Sequence, residues 1–119
     1  MALTKEQVLA ARLKTEIVPA PELGGEIVVS ELTGLEADRL DQAESPLTAS
    51  GKVEFQWAGH RARWIMACCR GADDKRLFDD EDLSVVSALP ASLMNRLLAA
   101  AKRVNGETPE QSVEAKAKN

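Results

Sequence analysis

The chain has 119 residues, of which 45% are hydrophobic and 29% are charged, with a net charge of −4. This length accommodates one packed domain. The acidic balance excludes a general nucleic-acid binder, which needs a basic excess. Apolar runs all fall short of the ~18 residues that a membrane span needs, so no membrane partner is expected. Residues 1–6 lack the form of a signal peptide, which predicts a cytoplasmic protein.

Hydrophobic periodicity and turn residues predict two strands and five helices. In chain order, the predicted elements are helix 4–14, strands 15–19 and 26–32, helix 33–44, helix 52–70, a short helix from 79 or 80 to 89, and a last helix from 90 to about 105. The polar segment 45–51 is predicted to be a loop. The two strands, separated by a turn at 21–25, form a β-hairpin in the simplest interpretation.

Local signals fix the ends of several predicted elements. Thr4 and Thr33 each have Gln or Glu three residues later, which is the pattern of a capping box at a helix start. Pro19 predicts that the first strand lies at a sheet edge, because proline cannot donate a backbone hydrogen bond. Pro90 is expected to be the first residue of the last helix. Asn105-Gly106 is expected to end that helix.

The helix predicted over residues 52–70 is the most informative element. Its apolar residues recur at helical spacing on one side: Phe55, Ala58, Ala62, Ile65, Met66 and Cys69. Trp57, Trp64 and Cys68 extend the apolar surface to a second side. A helix that is apolar on two sides lies centrally or beneath a partner. Gly59 falls inside this helix at a cost of about 1 kcal/mol, and Gly71 is expected to end it.

These elements predict the fold class. We expect a small single α+β domain over residues 1–106, with an N-terminal β-hairpin packed against four to five helices. Residues 107–119 are polar and rich in alanine, without an apolar period, and predict a disordered C-terminal tail.

The sequence offers no visible catalytic or metal-binding motif. The single histidine, His60, lies between Arg61 and Arg63, which repel a cation, so a surface or partly buried helix position is expected. The acidic run 73–82 does not match the ligand spacing of a calcium loop in either register. The adjacent cysteines Cys68 and Cys69 are predicted to be buried thiols. We therefore expect a non-enzyme without a cofactor.

Three motifs occur in the order and spacing of a known family. Glu31-Leu32-Thr33-Gly34 follows a strand and opens an acidic helix, and Leu77-Phe78-Asp79-Asp80-Glu81-Asp82 precedes the short helix. The last helix ends on Asn105-Gly106. Over about residues 16–106 the chain resembles the tail assembly chaperones of long-tailed bacteriophages and prophages.

The resemblance implies a function without catalysis. Such a chaperone holds the tape-measure protein until tail-tube subunits polymerise around it, and it is absent from the mature virion. Expected partners are therefore the tape-measure protein, the tail-tube protein and further copies of the chain. The resemblance also implies that 107–119 is a linker at a frameshift junction.

An amphipathic helical client needs apolar surface bordered by charge. The candidate partner-binding residues are Trp57, Arg61, Trp64, Met66, Met94 and Leu98. The alternative for the apolar members of this set is that all of them belong to the core. Two other functions stay open at this point: a structural tail or connector component, and a small regulatory module whose nucleic-acid face would be residues 52–70, with four basic residues against one acidic.

Overall fold

The computed structural model describes residues 1–107, which form a three-stranded antiparallel sheet and five α-helices. In chain order the elements are α1 (Lys5–Leu9), β1 (Thr15–Ala20), β2 (Gly25–Ser30), α2 (Gly34–Glu44), α3 (His60–Cys68), β3 (Cys69–Arg70), α4 (Leu83–Ser87) and α5 (Ala91–Val104). The predicted small single α+β domain is confirmed. The tail predicted from residue 107 lies, apart from Glu107, outside the described residues.

The predicted β-hairpin is confirmed. β1 pairs antiparallel with β2 in the register Thr15↔Ser30 to Ala20↔Gly25, and the sheet order β1-β2-β3 puts the Pro19 strand at an edge. A 3-10 turn over Pro21–Leu23 joins the strands. It closes on Gly24 at φ +75°, a conformation that glycine adopts without steric cost.

The predicted helix over 52–70 is wrong at both ends. Helix α3 begins only at His60, because Gly59 precedes it in the left-handed conformation, at φ +81°. Residues 52–59 are largely irregular, and Val53 makes an isolated bridge to Leu47. At the other end, the chain leaves the helix before Gly71, because β3 pairs with Val28 and Val29 of β2. A two-residue strand created by this long-range pairing leaves no pattern in the sequence.

The other helices differ from prediction mainly at their starts and lengths. Thr33 caps α2 with a complete capping box through Glu36, as predicted. Thr4 caps α1 in the same way, but α1 ends at Leu9 instead of continuing to residue 14. The short helix α4 follows a 3-10 turn over Asp80–Asp82, and α5 begins after Pro90, which occupies the N-cap.

Helix α5 forms the centre of the core. Its buried stripe faces the sheet and α3, and includes Leu93, Leu97, Ala101 and Val104 as predicted. The end of α5 is fastened to the sheet by Asn105, whose side-chain oxygen accepts a hydrogen bond from Leu32 N at 3.0 Å. Within residues 1–107, the helices are all too short or too polar to cross a membrane.

Candidate functional site

A groove of about 550 Å³ runs between α3, the junction of α4 with α5, and one side of α5. We call it the α3–α5 groove. It is lined by apolar side chains with cations beside them, chiefly Trp57, Leu89, Met94, Leu98, Arg61 and Lys102. No acidic residue lies among the lining residues that residues 1–107 contribute. The groove thus combines apolar surface with positive charge.

Four of the six predicted partner-binding residues converge on this groove. Trp57 is 63% exposed, Arg61 is exposed, Leu98 is half-buried and Met94 is buried beneath them. Trp64 and Met66 do not join them, because both are buried in the core. Trp64 lies against His60 and Lys102 of the groove lining, whereas Met66 lies on another side of α3.

Trp57 and Arg61, the exposed members of the predicted set, are held by specific contacts. Arg61 donates from Nε to the side-chain oxygen of Asn95 on α5, at 2.9 Å, so its charge is retained while its position is fixed. Trp57 packs edge-on against Phe55, with ring centroids 4.7 Å apart, and against His60 at 5.6 Å. An aromatic ring held by its neighbours loses little conformational entropy when a partner covers it.

Glu44, at the end of α2, is the hub of a buried polar cluster beside the groove. It is 4% exposed and accepts hydrogen bonds from His60 Nδ1 at 2.6 Å, Trp64 Nε1 at 2.8 Å and Arg63 Nε at 2.8 Å. Burial alone would raise the pKa of Glu44, but the hydrogen bonds from His60 and Arg63 outweigh it and hold the pKa below the ordinary value. Glu44 therefore fastens α2 to α3 as a carboxylate.

His60 is buried, which corrects the expected surface or partly buried position. Its Nε2 lies 3.3 Å from Lys102 Nζ. Since a lysine ammonium only donates, Nε2 is the acceptor and Nδ1 carries the proton given to Glu44. Both ring nitrogens are engaged, so His60 links the hub to α5. Sequence analysis missed Glu44, because its three donors come from a helix far along the chain.

The remaining reactive side chains do not form a chemical site. Cys68 and Cys69 are buried free thiols, and burial raises the pKa of each to about 12, so they stay protonated at neutral pH. Across residues 1–107 there is no group of three or more histidine, cysteine or acidic side chains that could hold a metal ion.

A second groove, of about 420 Å³, lies between α2, α3 and the start of α4. We call it the α2–α4 groove. Its apolar lining consists of Leu40, Ala43, Met66, Ala67 and Leu83, and its charged lining of Glu36, Arg39, Arg63, Arg76 and Asp80. Arg63 is paired with Glu44 at 2.6 Å, and Arg76 with Asp80 at 3.0 Å.

Comparison with known proteins gives a match in structure alone. No protein-family model matches the chain, and no curated protein sequence is significantly similar to it. The fold, in contrast, has a counterpart among solved structures. It is similar to the solved tail assembly chaperone of bacteriophage HK97, with a TM-score of 0.57 and 16% identity over 87% of this chain and 94% of that chain. The resemblance predicted from the sequence motifs is thus confirmed at the level of the fold.

Proposed function

We propose that this protein is a non-enzymatic tail assembly chaperone of a long-tailed phage or prophage, and that it binds the tape-measure protein during tail morphogenesis. The observation that carries the proposal is the similarity in fold to the HK97 chaperone, which extends over nearly the whole length of both chains. The sequence motifs over residues 16–106 support the same assignment, because they do not depend on the structure.

The α3–α5 groove is the proposed client site. A tape-measure segment would lie in it as an amphipathic helix, with its apolar side on Trp57 and Leu98. Acidic side chains of the client would approach Arg61 and Lys102 on the groove's edge. Met94 lies in the floor of the groove, and Trp64 supports the groove from the core through its contacts with His60 and Lys102.

The proposed function includes a place and a time of action. The chaperone acts in the bacterial cytoplasm before the tail tube closes around the client, and it is absent from the mature virion. The tail-tube protein is its second proposed partner, since polymerising tube subunits must displace it. Purified particles that contain this chain at a fixed copy number would instead identify a structural tail component.

The test is co-expression with the tape-measure protein of the same phage or prophage, scored by copurification and by client solubility. We expect the wild-type chain to capture the client and keep it soluble. Arg61→Glu should abolish capture, because it puts a carboxylate where the client's acidic side chains lie. The matched control is Lys52→Glu, which reverses an exposed charge that does not line the groove.

Capture by wild type that is lost in Arg61→Glu and retained in Lys52→Glu supports both the function and the site. Equal capture by all three proteins contradicts the site while leaving the chaperone function standing. A client that aggregates uncaptured beside soluble wild-type protein contradicts the chaperone function.

A further inference from the structure

Asn95 of helix α5 holds Arg61 without neutralising its charge. An arginine side chain only donates hydrogen bonds, so the contact at 2.9 Å joins Arg61 Nε to the amide oxygen of Asn95. Arg61 is thus fixed by a neutral amide, where a carboxylate would cancel its charge. Among residues 1–107, the arginines that instead form ion pairs with carboxylates are Arg63, Arg70, Arg76, Arg96 and Arg103.

The remainder of the Arg61 guanidinium is suited to binding a carboxylate. Arg61 is exposed, and its Nη1 and Nη2 groups form no hydrogen bond within residues 1–107. These two nitrogens carry four of the five N–H donors of the planar fork, which binds a carboxylate through two parallel hydrogen bonds. Since no acidic residue of the described chain lines the groove, a carboxylate at this position would be supplied by a partner.

The α3–α5 groove extends along helix α5. The residues of α5 that line it recur every three or four positions, and they are Ala91, Met94, Leu98 and Lys102. These positions form one stripe along the helix, and Asn95 lies about 20° from Lys102 around the helix axis. A partner helix that follows this stripe is therefore aligned with α5.

The two cations of the groove lie at different levels along α5. Asn95, which holds Arg61, is seven residues from Lys102, or about 10.5 Å along the helix axis. The Lys102 ammonium lies 3.3 Å from His60 Nε2, and its three donors allow it to bind several acceptors at once. Leu98 lies between the two levels. The groove thus presents a cation, an apolar surface and a second cation in order.

We propose that the α3–α5 groove selects a client helix by two carboxylates that are seven residues apart, with apolar residues on the turn between them. Asn95 determines this specificity as a positioning residue, because it holds Arg61 in place and keeps its charge for the client. Two turns of a client helix span the same ~10.5 Å as the two cations, so both carboxylates are bound at once. The inference rests on the proposed function, since it describes which helices the client site accepts.

The first test compares two synthetic helical peptides, each titrated into the full chain and followed by the fluorescence of Trp57, the exposed tryptophan. Both peptides are alanine-based and contain two glutamates and two leucines. In the in-register peptide the glutamates are seven residues apart, and the leucines are three and four residues after the first glutamate. In the out-of-register peptide the glutamates are five residues apart and point about 140° away from each other.

We expect the in-register peptide to bind at least about tenfold more tightly. The out-of-register peptide can place only one carboxylate on a cation of the groove, so it loses one charge-assisted contact. The advantage of the in-register peptide should shrink as salt rises, because salt screens exposed charges.

The second test changes Asn95 in the full chain. Asn95→Asp keeps the side-chain shape but supplies Arg61 with a carboxylate from its own chain. It should weaken binding of the in-register peptide at least about tenfold and abolish the preference between the peptides. Asn95→Ala removes the hydrogen bond and leaves the charge, so it should weaken binding less. If Asn95 only tied α3 to α5, the order would be reversed, because aspartate retains the hydrogen bond and alanine does not.

The matched control is Gln42→Glu, which makes the same change from amide to carboxylate on exposed α2, outside the groove lining. It should leave the affinity for both peptides unchanged. Asn95 and Gln42 are both exposed, so every variant keeps the core packing, and unchanged unfolding curves would verify this.

Tighter binding of the in-register peptide, together with a larger loss in Asn95→Asp than in Asn95→Ala, supports the proposal. Equal binding of the two peptides overturns it, as does binding of neither. A loss in Asn95→Ala that equals or exceeds the loss in Asn95→Asp also overturns it. These measurements do not involve the tape-measure protein, so the co-expression experiment decides the proposed function separately.

Discussion

The α3–α5 and α2–α4 grooves share helix α3 and differ in how their arginines are used. In the α3–α5 groove, Arg61 is held by the neutral amide of Asn95, so its charge remains available to a partner. In the α2–α4 groove, Arg63 forms an ion pair with Glu44 and Arg76 forms one with Asp80, so both charges are neutralised within the fold. Arg61 and Arg63, two residues apart in one basic segment, thus lie in different electrostatic environments. The net charge of the segment alone does not reveal this difference.

Glu44 connects the two grooves, and its removal should have the largest effect. Glu44→Ala leaves Arg63 and His60 buried without their acceptor, so we expect the free energy of unfolding to fall by about 3–5 kcal/mol. Denaturant unfolding measures this loss, with Gln42→Ala as the control on the exposed side of α2. A decrease in the free energy of unfolding of less than about 1 kcal/mol would show that apolar packing alone holds α2 against α3.

Trp57 separates client binding from stability. Because Trp57 is 63% exposed, Trp57→Ala should change the free energy of unfolding by less than about 1 kcal/mol. Client affinity should nevertheless fall at least about tenfold, as expected for an exposed aromatic anchor. Val53→Ala, at a position 67% exposed, is the matched control. An equal loss of client affinity in Val53→Ala would contradict the role of Trp57 as the anchor.

The left-handed backbone conformation of Gly59 sets the direction in which the chain that carries Trp57 enters α3. Its φ of +81° is costly for any residue with a Cβ, and a Cβ there would come within 3.0 Å of the Arg63 guanidinium. Gly59→Ala should therefore lower the free energy of unfolding by about 1 kcal/mol. It should also displace Trp57, which tryptophan fluorescence and client affinity would detect. Gly25→Ala, in space open to a Cβ, is the control.

The smallest expected effect is a dependence of stability on pH from Glu44. Its folded-state pKa lies below the ordinary value of about 4.3, so the folded state is stabilised above that value. This contribution is lost as pH falls from about 4.3 through the folded-state pKa. Unfolding measured between neutral and acid pH should show a decline that is shallower in Glu44→Gln. Identical pH profiles would contradict the carboxylate role.

Features carried by local signals were predictable from the sequence. The capping box of Thr33 with Glu36, the turn at Gly24 and the α5 stripe each depend on residues within one or two turns of each other. The prediction of a helix over 52–70 was wrong in its bounds, because the apolar period continues through Gly59. The backbone conformation of Gly59 is set by the surrounding structure. The pairing of β3 with β2 depends on residues about forty positions apart, which periodicity does not register.

The sequence predicted most of the residues that line the candidate site, but it did not predict which side of α3 faces the core. The search for apolar surface bordered by charge named Trp57, Arg61, Met94 and Leu98, which the fold brings to one groove. It could not tell which of the two apolar sides of α3 is covered, so Trp64 and Met66 were grouped with them although both face the core. The role of Glu44 was not predictable, because a single acidic residue at a helix end has no distinctive sequence pattern. Its hydrogen-bond donors become apparent only in the folded structure.

The Asn105 contact also decides how mechanical load would pass through the domain. A pull applied to the chain beyond Gly106 acts first on the last turn of α5. The Asn105 side chain accepts a hydrogen bond from Leu32 N at 3.0 Å and donates one to Ala101 O at 2.7 Å, so the force is shared between the helix and the segment that follows β2. A pulling force applied at the C-terminal end would therefore load the sheet and α5 together, before the helix could unwind alone.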